Sequence, residues 1–421
     1  MSGADQGSKN KAVNTNCLKK SILNFFYLKF FLTMPAWLWC TAVFTQAQIN
    51  DNQRVVVGAE QTQALLHLIC DKQTALVVNH SSFVGKTHLV DTLYDLGCCI
   101  DRILAPEHGF RGSEDAGVTV RDDVDARTGI PIVSLYGKKK KPACEDLEGI
   151  DVVVFDIQDV GARFYTYIST LFYILEACAE QGKQVIILDR PNPNGHYVDG
   201  PVLDMRYASF VGIAPIPVVH GCTVGELARL FAGEYWIGSA QRIDLQVIPC
   251  LNYTHHTPYD LPVKTSPNLP NTRAALLYPS LCFFEGTEVS IGRGTPAPFQ
   301  MVGHPDYTEG SYSFIPTAGY AARNPPQEGK TCWGMDLRHI PMDSLRRDTA
   351  LNLKYLFEFF DCLPDRESFF LKNHFFDLLA GNSSWREQMM AGKTEADIRA
   401  GWQYDLSLFK AIRKKYLLYP E

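Results

Sequence analysis

Residues 152–190 read VVVFDIQDVGARFYTYISTLFYILEACAEQGKQVIILDR, and their rhythm decides the fold class. An unbroken apolar run, Val152 to Phe155, passes into polar residues. A long stretch with helical apolar spacing follows, Phe164 to Gln181, and a second β-branched run, Gln184 to Leu188, ends at Asp189-Arg190. Strands that are apolar at every position must be buried on both faces, as happens in parallel sheets sandwiched between helices. The same alternation extends upstream: a strand at Ala75–Val78, a helix at His88–Leu96, and strands at Ile100–Leu104 and Ile130–Leu135. The expected fold is α/β: a Rossmann-like doubly wound parallel sheet over residues 54–212.

Beyond Val211 the alternation fades. Thr223 to Phe231 reads as a helix opened by a Thr223/Glu226 capping box. A Pro- and Asn-rich stretch covers 258–271, and the last 75 or so residues are mainly helical, with capping signatures at Ser384/Glu387 and Thr394/Asp397. Residues 213–421 are expected to form a smaller α+β lobe closing over the sheet edge.

In a parallel sheet the carboxyl ends of the strands share one rim, and ligands bind there. The five exits carry Asn79-His80, Glu107-His108, Tyr136, then Asp156, Gln158 and Asp159, and finally Asp189-Arg190. No GxGxxG follows the first strand and no P-loop occurs. The Gly-Arg-Gly-Thr turn at 292–295 lacks the lysine and spacing of a phosphate cradle. No cofactor is expected. HExxH, CxxC and GxSxG are absent, so metal and serine chemistry have no local signature and no metal site is expected.

The formal net charge of −6 leaves no basic field for nucleic acid, and the Lys138–Lys141 run has no interleaved aromatics. At the N-terminus, Lys19-Lys20 precede an apolar stretch from Ile22 to Phe44 and a small residue at Ala47, the pattern of an export signal. Lys29 and Pro35 interrupt the stretch and argue against a membrane span, and Trp39 argues against a lipoprotein cysteine at Cys40. Residues 1–47 are expected to be a cleaved signal peptide, which places the mature chain in the periplasm or outside the cell. Of twelve cysteines, Cys70, Cys178 and Cys282 sit in apolar runs as small hydrophobes, so no disulfide scaffold is expected. Oligomeric state is not legible.

The densest constellation is APEHGFRG, 105–112. Proline and glycines present Glu107 and His108 on a tight loop, where Glu107 suits a general acid for glycosidic cleavage or else pins its loop through backbone hydrogen bonds. Asp156 and Asp159 offer a second carboxylate, with Asp156 alternatively capping the next helix. Arg163, Tyr165 and Tyr167 suit an anionic ring, although Arg163 equally suits an internal ion pair. Arg190, Asn192 and Asn194 lie on a Pro-braced loop that reads as ligand contact or turn network. From the second half, His220, Asn268, Glu285 and Arg293 are candidates, with His220 favouring a structural role. Asn79, His80, Glu107, His108 and Asp156 include metal-ligand types, so a metal-dependent cell-wall hydrolase is a rival reading. A non-catalytic sugar-binding protein with two lobes around a cleft is another.

APEHGFRG, FDIQDVGARFYTY, LDRPNPNG with VDGPV, PIPVVHGCTVGELA, SPNLPN and LYPSLCFFEGTEVSIGRGT together resemble the exo-β-N-acetylmuramidase (NamZ-type) family, from about Val55 to Tyr419. The resemblance implies a Rossmann-like lobe with a smaller lobe over a cleft. It implies release of N-acetylmuramic acid from the non-reducing end of peptidoglycan-derived oligosaccharides without a nucleotide cofactor. The family's proposed catalytic glutamate maps onto Glu107. His80-Ser81-Ser82 departs from the family pattern, and Gln300 stands where some relatives carry Glu. On this reading Glu107 is the acid, Asp156, Asp159 or the substrate's acetamido group supports the oxocarbenium ion, and Arg163 or Arg190 binds the lactyl carboxylate.

Overall fold

The computed structural model describes residues 54–107, 109–111, 123–238, 242–319 and 321–421. The expected signal peptide and His108 lie outside the described residues. The central sheet has seven strands: β1 (Thr74–Val78), β2 (Ile100–Ala105), β3 (Asp123–Val124), β4 (Pro131–Ser134), β5 (Val152–Asp156), β6 (Gln184–Leu188) and β7 (Leu245–Ile248), in the spatial order β7-β6-β5-β1-β2-β4-β3. All neighbours run parallel except the short edge strand β3. Counted along the chain, the six parallel strands fall in the order of the doubly wound fold, with its reversal between β1 and β5.

Burial explains why these runs are strands. Ala75 and Val77 of β1 face one core with Val153 and Phe155 of β5 and Val185 and Ile187 of β6. Their alternates Leu76, Val78, Val152, Val154, Ile186 and Leu188 face a second core on the other side. Each strand thus feeds two cores, and each fully buried branched side chain contributes on the order of 1.5–3 kcal/mol. Register then aligns the exits: Val78 pairs with Asp156, Val77 with Leu104, Ala105 with Ser134, and Phe155 with Ile187.

The helices α1 (Tyr167–Glu180), α2 (Val224–Gly233), α3 (Thr272–Leu281) and α4 (Glu395–Arg413) carry most of the remaining packing. α2 is capped as expected, Thr223 Oγ1 accepting from Glu226 N while Glu226 Oε2 accepts from Thr223 N. α2 packs on α1, and β7 joins the sheet beside β6, so residues beyond 213 contribute a strand and a covering helix to the parallel sheet. A three-stranded antiparallel sheet (Met301–His304, Cys332–Asp336, Tyr312–Phe314) and short helices complete the C-terminal half as an α+β assembly. No described helix is long and apolar enough to cross a membrane, and the ten described cysteines are free thiols.

Candidate active site

Pro106 follows β2, and Gly109 at φ 69° turns the chain sharply, in a region that favours glycine. Glu107 therefore stands half-buried at the carboxyl edge. Thr166 Oγ1 donates to its Oε2 at 3.1 Å, and the Tyr136 hydroxyl, from the exit of β4, donates to the same carboxylate. Tyr167 Oη donates to the Glu107 carbonyl at 3.4 Å. Burial and then the charge of Glu107 push the Tyr136 phenol well above its ordinary range, so it remains a donor.

Glu107 lines a cavity of about 260 Å³, small beside ligand cavities of roughly 300–1,000 Å³ and suited to one sugar ring rather than a chain. Its walls include Phe164, Tyr165, Tyr278 and Phe299, a run of edge-to-face rings with successive centroids 5.0–5.7 Å apart along Tyr165, Tyr278 and Phe299, and Phe164 5.3 Å from Tyr278. These rings pack on one another and show the cavity only a small part of their surface. Tyr165 Oη is committed to the Thr265 carbonyl at 2.7 Å. Asn268 donates through Nδ2 to Ala321 O at 2.8 Å, while its buried Oδ1 has no partner.

The cavity's cation is Arg293, ion-paired with Glu285 and standing 5.4 Å from the Phe299 ring centroid. Burial opposes its charge, but Glu285 beside it outweighs burial and holds the guanidinium protonated. Its Nε has no partner. The cavity thus gathers Glu107, Tyr165, Tyr167, Asn268, Glu285 and Arg293 of the expected residues.

The other expected residues lie elsewhere, for a common reason: the exits of the central strands β1, β5 and β6 are covered, so their polar groups are satisfied internally. Asp156 is fully buried and accepts from Arg190 Nε at 2.6 Å and Nη2 at 2.9 Å. Arg190 donates in addition to Phe83 O at 3.0 Å. Arg163 is fully buried, its Nη1 donating to Pro201 O (2.7 Å) and Ile216 O (3.0 Å) and its Nη2 to Leu379 O (2.7 Å). Burial without an acidic partner lowers its pKa to about 9. Neither arginine lines the cavity, which corrects the expectation that one of them meets the lactyl group.

Asp159 is likewise buried away from the cavity. Burial raises its pKa to about 7, partly offset by the Gly161 and Val160 amides, the former at 2.7 Å. His220 Nε2 stands 3.8 Å from its Oδ2, and burial, with Arg413 and Arg163 nearby, depresses the imidazole to about 3. Asn192 braces the Pro loop through Cys222 O (2.8 Å), and Asn194 through Val160 O (2.8 Å) and Ala275 O (2.9 Å). Asn79 Oδ1 accepts from Ser81 N and Oγ at 2.8 and 2.6 Å, and His80 Nε2 meets Lys264 O at 2.8 Å. Among the described residues no three His, Cys, Asp or Glu side chains converge as a metal cage.

Tyr136, Thr166, Tyr278 and Phe299 were not singled out as site residues. Tyr136 had a signal, as the exit neighbour of the strand carrying Glu107, and Thr166 sits between two expected tyrosines. Phe299 had none, since it reaches the cavity through left-handed backbone at φ 56°.

The fold is that of a doubly wound α/β protein, and its cavity at the carboxyl edge of the sheet joins a carboxyl-bearing loop to aromatic walls. Two family models match, the N-terminal part of exo-beta-N-acetylmuramidase NamZ over residues 74–273 and its C-terminal part over 276–419. The chain belongs to the exo-β-N-acetylmuramidase NamZ family. It is 39% identical over 347 residues to the peptidoglycan beta-N-acetylmuramidase NamZ of Bacillus subtilis (strain 168), covering 78% of this chain and 82% of that protein. A crystal structure of a DUF1343 family protein from Bacteroides fragilis NCTC 9343 superposes with TM-score 0.81 at 46% identity, over 88% of this chain and 100% of that one. A second such protein from the same organism gives 0.73 at 28% identity, over 87% and 99%.

Proposed function

We propose that this chain is a glycoside hydrolase that removes a terminal β-linked N-acetylmuramic acid from peptidoglycan-derived glycans, with Glu107 as its proton donor. Family membership and the activity named for the Bacillus relative support the reaction class. The observation that carries the role of Glu107 is its position in a one-ring aromatic cavity, oriented by Thr166 and Tyr136.

Asp156 and Asp159 lie outside the cavity, and Glu285 is tied to Arg293. With no further carboxylate among the described residues lining the cavity, support of the developing cation is assigned to the sugar's own acetamido. Its carbonyl oxygen attacks C1 as the C1–O bond breaks, while the Glu107 proton passes to the departing oxygen. Water, deprotonated by Glu107, then opens the resulting ring and restores the acetamido group. Asn268 Oδ1 suits the acetamido N–H, and Arg293 replaces Arg163 and Arg190 as partner for the lactyl carboxylate. The export pattern at 1–47 supports action outside the cytoplasm.

The test is product analysis on N-acetylmuramic acid–N-acetylglucosamine disaccharide. Wild type should release free N-acetylmuramic acid, and Glu107→Gln should lower kcat by about 10²- to 10⁴-fold. Undiminished turnover by folded Glu107→Gln removes Glu107 from the chemistry, and absence of product with wild type removes the activity.

A further inference from the structure

The loop at 188–200 is braced by its asparagines, yet its His196-Tyr197 segment borders a second cavity, of about 560 Å³. His255, Lys410, Arg413 and Lys414 also line it, and none of its lining residues is shared with the Glu107 cavity. We propose that this cavity is a second saccharide site that holds an acidic sugar residue.

Three observations converge. Cations at the C-terminal end of α4 complement the helix dipole, which accounts for Lys410 and Lys414 as single residues. The dipole does not explain why both, though exposed, stand at the rim of a cavity. Arg413 is committed to Gly221 O and to Glu421, the acid in this wall, on which Lys414 also acts through space. Among the described residues neither Lys410 nor Lys414, both exposed, has an ion-pair partner, which leaves positive charge for a ligand.

His255 supplies the second observation. It is buried, and its Nε2 donates to Glu226 Oε1 at 3.0 Å, which leaves Nδ1 able to accept. Nδ1 has no partner and faces Gly195, itself in the cavity wall. A buried unpaired ring nitrogen is costly unless a ligand or water meets it, and a sugar hydroxyl is a matching donor. Third, the half-buried His196 ring borders the cavity beside the largely buried Tyr197, tilted 50° to it at 4.9 Å, and offers its imidazole to a pyranose. Hydroxyl acceptor, aromatic surface and paired ammonium groups together describe a sugar carrying a carboxylate or phosphate.

This inference is independent of the reaction proposed above, because it is read by binding rather than turnover. Titration calorimetry on the full chain would use glucuronate and glucose 6-phosphate as probes, with glucose and inorganic phosphate as controls. At least one acidic sugar should bind at one site per chain, at least tenfold more tightly than either control, and which of the two prevails identifies the acid group. Lys410→Ala/Lys414→Ala should weaken it at least tenfold, both side chains being exposed, with turnover of a chromogenic N-acetylmuraminide unchanged. His196→Ala should weaken the sugar probes but not inorganic phosphate. The proposal is overturned if neither acidic sugar binds, if inorganic phosphate binds equally well, if the double variant binds normally, or if the probes compete with the chromogenic substrate.

Discussion

Arg190 and Asp156 form a two-pronged ion pair inside the sheet, Nε to Oδ1 at 2.6 Å and Nη2 to Oδ2 at 2.9 Å, with both side chains essentially closed to solvent. Each came from a different strand exit, and each neutralises the other. The pair keeps the middle of the rim electrically quiet, and Glu107, two strands further out, lines the cavity with the Arg293-paired Glu285.

Breaking that pair should cost stability. Arg190→Met or Asp156→Ala leaves one charge buried without its partner, and each should lower unfolding free energy by about 3–5 kcal/mol. Urea denaturation of the two singles and the double measures this. The double should fall well short of the sum of the singles, and additive losses would mean the two side chains act separately.

Asp159 makes stability depend on pH. Its folded pKa of about 7 lies above the ordinary 3.8, so the folded state holds the proton more tightly than the unfolded chain. The stability it contributes is complete below about pH 4 and is lost as pH rises through about 7. Asp189, raised to about 6 by burial, acts in the same direction, whereas His220, depressed to about 3, favours the fold as pH rises. Comparing wild type with Asp159→Asn isolates the one group together with its His220 neighbour. Wild type should lose up to about 4 kcal/mol relative to the variant between pH 4 and 7. A flat difference across that range would contradict the assignment.

Arg293 should read the lactyl acid. With a chromogenic N-acetylmuraminide, Arg293→Met, paired with Glu285→Gln to avoid a stranded charge, should reduce kcat/KM roughly 10- to 100-fold, from about 1.5–3 kcal/mol for a charged hydrogen bond. The same variant should lose much less against the substrate whose lactyl carboxyl is an amide. Equal losses on both would make Arg293 a wall residue only.

The sheet was legible because strands buried on both faces must be written in unbroken apolar runs, as at Ala75–Val78, Val152–Phe155 and Gln184–Leu188. β7 was not, since Leu245-Gln-Val-Ile248 is short, half polar, and set beyond the alternating region. Glu107 was legible through its Pro and Gly neighbours, which dictate a tight presenting loop. The arginines were not. Sequence places Arg190 at the rim, but its side chain reaches back to Asp156 of the adjacent strand, a direction decided by tertiary packing. Asn192 and Asn194 likewise sit where ligand contacts are expected, and only the surrounding carbonyls of Cys222, Val160 and Ala275 decide that they are braces.

Arg163 acts as a keystone among carbonyls contributed by Pro201, Ile216 and Leu379, the last more than two hundred residues away along the chain. A fragment ending at residue 273 would keep the guanidinium but lose the acceptor from Leu379 and the helix Phe375–Ala380 that carries it. Such a half should emerge insoluble when expressed alone and be rescued when the remaining half is supplied in trans. The two stretches that family models recognise separately are, by this one side chain, a single folding commitment.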